Sequence, residues 1–182
     1  REYENRIVNN IYFDSLNFKS FSDNVDGQSK RVKTRYRWYG KFEKQSYGNM
    51  EFKIKRNVFG YKKTYNVKDL IIDEKKDFRY INNKIFNELP QDIGIFFKQN
   101  DNPQIINQYE REYFKTKNQK FRVTIDRNIK IFDQRKSNTP NISRKTISQN
   151  YIVLEIKFDR KSRKDIEDLI SNIPIRISKN SK

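Results

Sequence analysis

From residue 31 to residue 37 every second side chain is a cation: Arg31, Lys33, Arg35 and Arg37. The residues between them, Val32, Thr34 and Tyr36, favour strands. Side chains i, i+2 and i+4 of a strand share one face. The stretch therefore predicts a strand with a row of cations on one side and a packing surface on the other. Like charges in a row repel one another unless an anion lies across them, and a chain of phosphates is the matching partner. The competing reading is a solvated strand face, where each cation contributes little to stability. Phosphate chemistry suits such a face, because phosphoryl transfer needs positioning and charge neutralisation more than covalent catalysis. Arg grips phosphate in a two-pronged manner and Lys acts as a movable point charge.

Composition points the same way. The chain has 182 residues and a net charge of +17, from 40 Lys and Arg against 23 Asp and Glu. Part of that charge fits a compositional bias toward Lys, Asn and Ile; the strict alternation does not. Fourteen Phe and eleven Tyr supply enough apolar bulk for a core. There is no Cys and no His, so thiol chemistry and imidazole general bases are excluded. A metal would need carboxylates, phosphates and water, which selects Mg2+ or Mn2+. No apolar run approaches the roughly 18 residues of a membrane span, and no leader is visible. A chain that opens at Arg1 reads as a piece of a longer one.

The elements that must position these residues alternate in the same way. Strands are expected over 7–13, 31–39, 50–56, 61–67, 105–115, 120–132 and 151–158, and a last short one over 175–179. Asp14 and Ser15 would cap a helical turn over 16–21. Residues 68–98 read as short helices broken near Pro90, residues 133–149 as a polar, flexible loop, and Ser162 to Asp165 as a box opening a helix that carries Ile166, Leu169 and Ile170. Glu51 and Glu155 each stand two residues before a Lys in their strands. The fold class expected is α+β, mainly β: an antiparallel closed barrel of about eight strands with flanking helices, occupying 1–182 as a single domain. A barrel lined by Lys and Arg must hold an anion, because buried unpaired charge is costly.

Tyr12-Phe13-Asp14, Arg35-Tyr36-Arg37-Trp38-Tyr39-Gly40, Glu51-Phe52-Lys53, Tyr109-Glu110-Arg111, Arg122-Val123-Thr124-Ile125-Asp126, Val153-Leu154-Glu155-Ile156-Lys157 and Ser178-Lys179 follow one another in this order. Together they resemble VTC domains, the polyphosphate polymerase domains of the vacuolar transporter chaperone complex and its prokaryotic relatives, within the triphosphate tunnel metalloenzymes (CYTH-like proteins). The resemblance implies an antiparallel barrel tunnel, a metal-dependent transfer of the ATP γ-phosphoryl group to a growing polyphosphate, and release of ADP. It implies substrate roles for Arg35, Arg37, Lys53 and Arg111. It implies phosphate contacts for Lys63 and Lys179, with Lys33, Lys55, Arg122 and Lys157 on the same inward faces. Glu155 matches the metal-binding Glu, and its rival role is a salt bridge to Lys157 or a neighbouring Arg. Glu51 is read first as a salt-bridge partner and second as an aid to the metal through water. The family's opening strand, which carries a basic residue upstream of Tyr-Phe-Asp, is not legible before Ile7.

The partners implied are ATP and polyphosphate. Two rivals stand beside the polymerase: a triphosphate hydrolase of the same tunnel type, and a non-catalytic polyphosphate- or polyanion-binding module. Few carboxylates fall on the inward faces, which favours polymerisation over hydrolysis. Nucleic acid is not expected, since Tyr36, Trp38 and Phe52 fall on the face opposite the cations and cannot stack on bases there. Tyr109 and Tyr113 are read as packing residues or hydroxyl donors. The expected location is cytoplasmic, or the cytoplasmic side of a membrane if an anchored partner or fused domain holds the chain there.

Overall fold

The computed structural model describes residues 3–42, 46–144 and 147–171. The order is β1 (Tyr3–Asp14), α1 (Lys19–Val25), β2 (Lys30–Tyr39), β3 (Ser46–Arg56), β4 (Phe59–Leu70), α2 (Phe78–Asn87), α3 (Gln91–Lys98), β5 (Asn102–Lys115), β6 (Phe121–Asp133), β7 (Ile147–Gln149), β8 (Val153–Phe158) and α4 (Arg163–Ser171). The strands form one antiparallel sheet in the order β4-β3-β2-β1-β5-β6-β7, and β8 also pairs with β6. β7 and β8 lie end to end along the free side of β6: Gln149 faces Ile129, and Val153 faces Asp126.

The expected closed barrel is not formed. The structure is an open half-barrel with four helices. Among the described residues β4 pairs only with β3, and β7 and β8 only with β6. A barrel closes only when its first and last strands exchange backbone hydrogen bonds. Here the outer part of β4 is exposed and carries Lys62 and Lys63, the kind of charged edge that discourages further pairing. The expected final strand over 175–179 lies outside the described residues.

Alternation places the core on one side of the sheet. Ile11 and Phe13 of β1, Tyr36 and Trp38 of β2, Met50 and Phe52 of β3, and Val67 and Leu70 of β4 join Ile81 and Ile85 of α2 and Phe97 of α3 in one buried cluster. Edge-on ring contacts tie the helices to the sheet, Phe13 to Phe97 at 5.3 Å and Phe52 to Phe96 at 5.9 Å. Asp77 caps α2, accepting from the Tyr80 N–H at 2.7 Å. Asp14 accepts from the backbone N–H groups of Ser20 and Phe21, so the acid of Tyr12-Phe13-Asp14 anchors the start of α1. Packing leaves no room at Gly48, opposite Trp38. A Cβ there would collide with the Tyr36 ring and hydroxyl and lie 2.6 Å from the Arg37 carbonyl.

Within the segment expected as a loop over 133–149, residues 133–144 and 147–149 are held by specific contacts. Gln134 is buried; its amide nitrogen donates to the Phe132 and Asn141 carbonyls while its oxygen accepts from the Asn141 N–H. Glu74 accepts from Ile142 and Ser143, and Ile147–Gln149 is a strand.

Candidate functional site

The other face of the sheet carries the charge. Cross-strand partners in an antiparallel ladder share a face, so the register sorts the residues into rows. Lys33 and Lys53 face each other, and Lys53 faces Lys62. The next row runs Thr64, Glu51, Arg35, Tyr12, and the one after it Asn66, Asn49, Arg37, Asn10, Asn107. Beyond these, Arg6 faces Arg111, which faces Asp126. Tyr113, Thr124 and Glu155 form another row, and Lys115, Arg122 and Lys157 the last. The two lysine-rich rows lie at opposite ends of the sheet along the strand direction, with the arginines between them.

Alternation alone builds this surface, but ion pairing shapes it. Arg111 donates from Nε and Nη2 to the two oxygens of Asp126, at 2.6 and 2.8 Å. Both side chains are buried. Burial works against the charge on Arg111, but the Asp126 carboxylate outweighs it and the guanidinium is held more firmly protonated than usual. Glu155 stands 3.9 Å from Arg111 and 3.5 Å from Lys157. On the far side of β1, Arg35 lies 2.6 Å from Glu51, which also receives Lys62 at 2.8 Å. Burial pushes the Glu51 carboxyl up, but Arg35 and Lys62 overcome that and hold it below the usual carboxylate range. Arg35 also donates to the Tyr12 hydroxyl at 3.2 Å. Lys33 has the opposite shift: burial, then repulsion from Lys53, Arg31 and Arg35, holds its ammonium below the ordinary lysine range.

A face built this way has an excess of fixed cations and few acceptors to spare. Its cations lie along the strands as well as across them, a spacing that complements an extended anion better than a compact one. A family model, VTC domain, matches residues 1–182, the whole chain. The chain belongs to the VTC domain family. No curated protein matches it.

As a VTC domain the chain carries its family motifs in a specific arrangement. Arg35, Arg37, Lys53, Arg111, Lys33, Arg122 and Lys157 fall in the rows of the charged face, and Lys55 extends it opposite Arg31. Lys63 does not join them. It faces Phe52, a core residue, and so points to the other side of the sheet; Lys62 takes the inward position and contacts Glu51. Lys179 lies outside the described residues. Glu51 is engaged by two cations, the salt-bridge role read first for it. Glu155 also has cationic neighbours, but its side chain keeps 40 % of its exposure. No group of three or more acidic side chains suited to a metal occurs among the described residues.

Four inward residues escaped sequence reasoning. Asp126 looked like one more alternating acid, since its partner Arg111 is 15 residues away and only the hairpin register joins them. Asn10 and Asn107 sit among other polar residues of their strands, so nothing in the sequence sets them apart, yet both are fully buried. Arg6 lies in β1, which starts at Tyr3, before the Ile7 expected. Its guanidinium sits over Tyr3, Tyr39 and Tyr113 at 5.5 to 5.8 Å. The alternation of Glu4, Arg6 and Val8 was the available signal.

Proposed function

We propose that this VTC domain is a phosphotransferase that passes the γ-phosphoryl group of ATP to the end of an inorganic polyphosphate chain held on its cationic face. The observation that carries the reading is the pair of lysine-rich rows at the two ends of one face, with Arg35, Arg37 and Arg111 between them. A linear polyanion lying along the strands meets cations over its whole length. In the transfer, an oxygen of the terminal acceptor phosphate forms a bond to the γ-phosphorus, the bond from that phosphorus to the β–γ bridging oxygen breaks, and ADP leaves. The attacking oxygen is already ionised, so no general base is needed, in keeping with a chain without His.

The donor set suits a hard cation bound through one protein carboxylate, with phosphates and water completing its shell. Glu155, at the cation-rich end and partly exposed, is the residue to hold it. Mg2+ or Mn2+ there supplies charge neutralisation on the phosphate oxygens. Arg37 and Lys53 orient the triphosphate. Arg111, fixed by Asp126, presents its remaining edge to the acceptor.

A second reading is favoured by a specific observation. The sheet is open, and the inward carboxylates are engaged by cations, which suits a polyphosphate-binding module without turnover. Incubation with ATP and Mn2+, followed by a gel stained for polyphosphate and assays of ADP and free phosphate, separates the two. A polymerase gives a ladder and ADP that Arg37→Ala and Glu155→Ala both abolish. Free phosphate without a ladder assigns hydrolysis. Binding of polyphosphate with no product of either kind assigns the binding module.

A further inference from the structure

Arg35 and Arg111 each lie against a carboxylate, whereas Arg37 is held differently. Its Nε donates to Asn10 Oδ1 at 2.7 Å and its Nη2 to the Tyr109 hydroxyl at 3.2 Å. No carboxylate lies in ion-pair contact with it among the described residues. Asn10 in turn donates from Nδ2 to Asn107 Oδ1 at 2.7 Å, and both asparagines are fully buried. Hydrogen-bond chemistry forces this order. Arg has donors only, so Asn10 must turn its oxygen to Arg37 and its nitrogen to Asn107, which must then accept with its own oxygen. The Asn107 Nδ2 group is left buried without a partner among the described residues.

A buried N–H without an acceptor is unfavourable. Aspartate at position 10 would accept from Arg37 on one oxygen and from a turned Asn107 amide on the other, leaving the Asn107 oxygen in place of its nitrogen without a partner. It would also cancel the charge on Arg37. We propose that Asn10, seated on Asn107, is a positioning residue that fixes Arg37 through a neutral acceptor, so that no carboxylate in direct contact competes with a phosphate group of the bound polyanion for this guanidinium. The inference rests on the reading of this face as a polyphosphate site.

The test is Asn10→Asp beside the wild type, titrated with tripolyphosphate by calorimetry over a range of salt, with melting followed in parallel. The variant is expected to melt at or above the wild-type temperature, to bind roughly ten- to a hundredfold more weakly, and to show a shallower dependence on salt. Asn107→Asp places the charge one hydrogen bond further from Arg37 and gives a smaller loss in the same direction; it decides the matter if Asn10→Asp does not fold. Wild-type affinity and salt dependence in a folded Asn10→Asp variant overturn the proposal and leave the site reading intact. So does a fall in melting temperature that tracks the affinity in both variants, which would make the pair a packing support. Failure of the wild type to bind tripolyphosphate removes the site reading and the proposal together.

Discussion

The two arginine–carboxylate pairs of the charged face lie on either side of β1 and are built from the same groups, yet they do different things. Arg111 and Asp126 are 9 % and 0 % exposed and meet through two parallel hydrogen bonds. Arg35 keeps 25 % of its side-chain exposure, and Glu51 divides itself between Arg35 and the half-exposed Lys62. The first pair has no route to water when it is broken; the second has one. Burial, more than chemical type, therefore makes the Arg111 pair a fixed pillar and the Arg35 pair an ionic contact whose members can exchange one another for water.

The largest test of that contrast is Asp126→Ala. It strands the Arg111 charge in the interior and should cost about 3–5 kcal/mol of stability, read by urea denaturation. A loss below about 1 kcal/mol would place this pair with the surface ones and erase the difference. Glu51→Gln should cost much less, about 1 kcal/mol, because Arg35 and Lys62 can turn to water. It should also tighten tripolyphosphate binding by roughly fivefold, since two cations lose their internal partner. Acid acts on the wild type in the same sense. The folded Glu51 pKa lies below its unfolded value, so its contribution is present above the unfolded value and is lost as pH falls through the folded one. Urea midpoints from pH 6 downward should therefore fall less steeply in Glu51→Gln than in the wild type.

The smallest effect concerns Lys33. Its pKa is depressed by burial and by the neighbouring cations, so it gives up its proton at a lower pH than an ordinary lysine. Tripolyphosphate affinity should weaken as pH rises through the alkaline range, and Lys33→Arg, which stays charged, should flatten that profile. Equal profiles in the two proteins would show that Lys33 does not face the ligand.

Much of the face was legible before any fold was known. Alternation sorted Arg35 and Arg37, Lys53, and Arg111 onto one face within each of their strands, and the resemblance to VTC domains joined those faces into one site. Lys62 and Lys63 are adjacent cations, and the parity of Tyr65 and Val67, which pack on the core, already marks Lys63 as the one on the core side. The β3–β4 pairing agrees, placing Lys63 opposite Phe52 and Lys62 opposite Lys53. What alternation lacks is strand order, and the expectation of closure failed there. Whether a sheet seals depends on what its edges meet, and the Lys62 and Lys63 of β4, which discourage pairing, are recognised as edge residues only once the strand order is known. Asn10 and Asn107 stayed hidden because a buried amide is justified only by its partners, and these come from strands 97 residues apart.

The cations and the core share a single layer of backbone, and Gly48 shows how thin it is. Its missing side chain leaves space for Tyr36, and the same space borders the carbonyl of Arg37, whose guanidinium projects from the opposite surface. Aromatic packing on the helix side thus bears on the backbone from which the cationic side chains project. Such a sheet can be tuned from behind. Residues buried on the helix side are able to stiffen or relax the backbone that carries the cations while every side chain of the charged face stays the same.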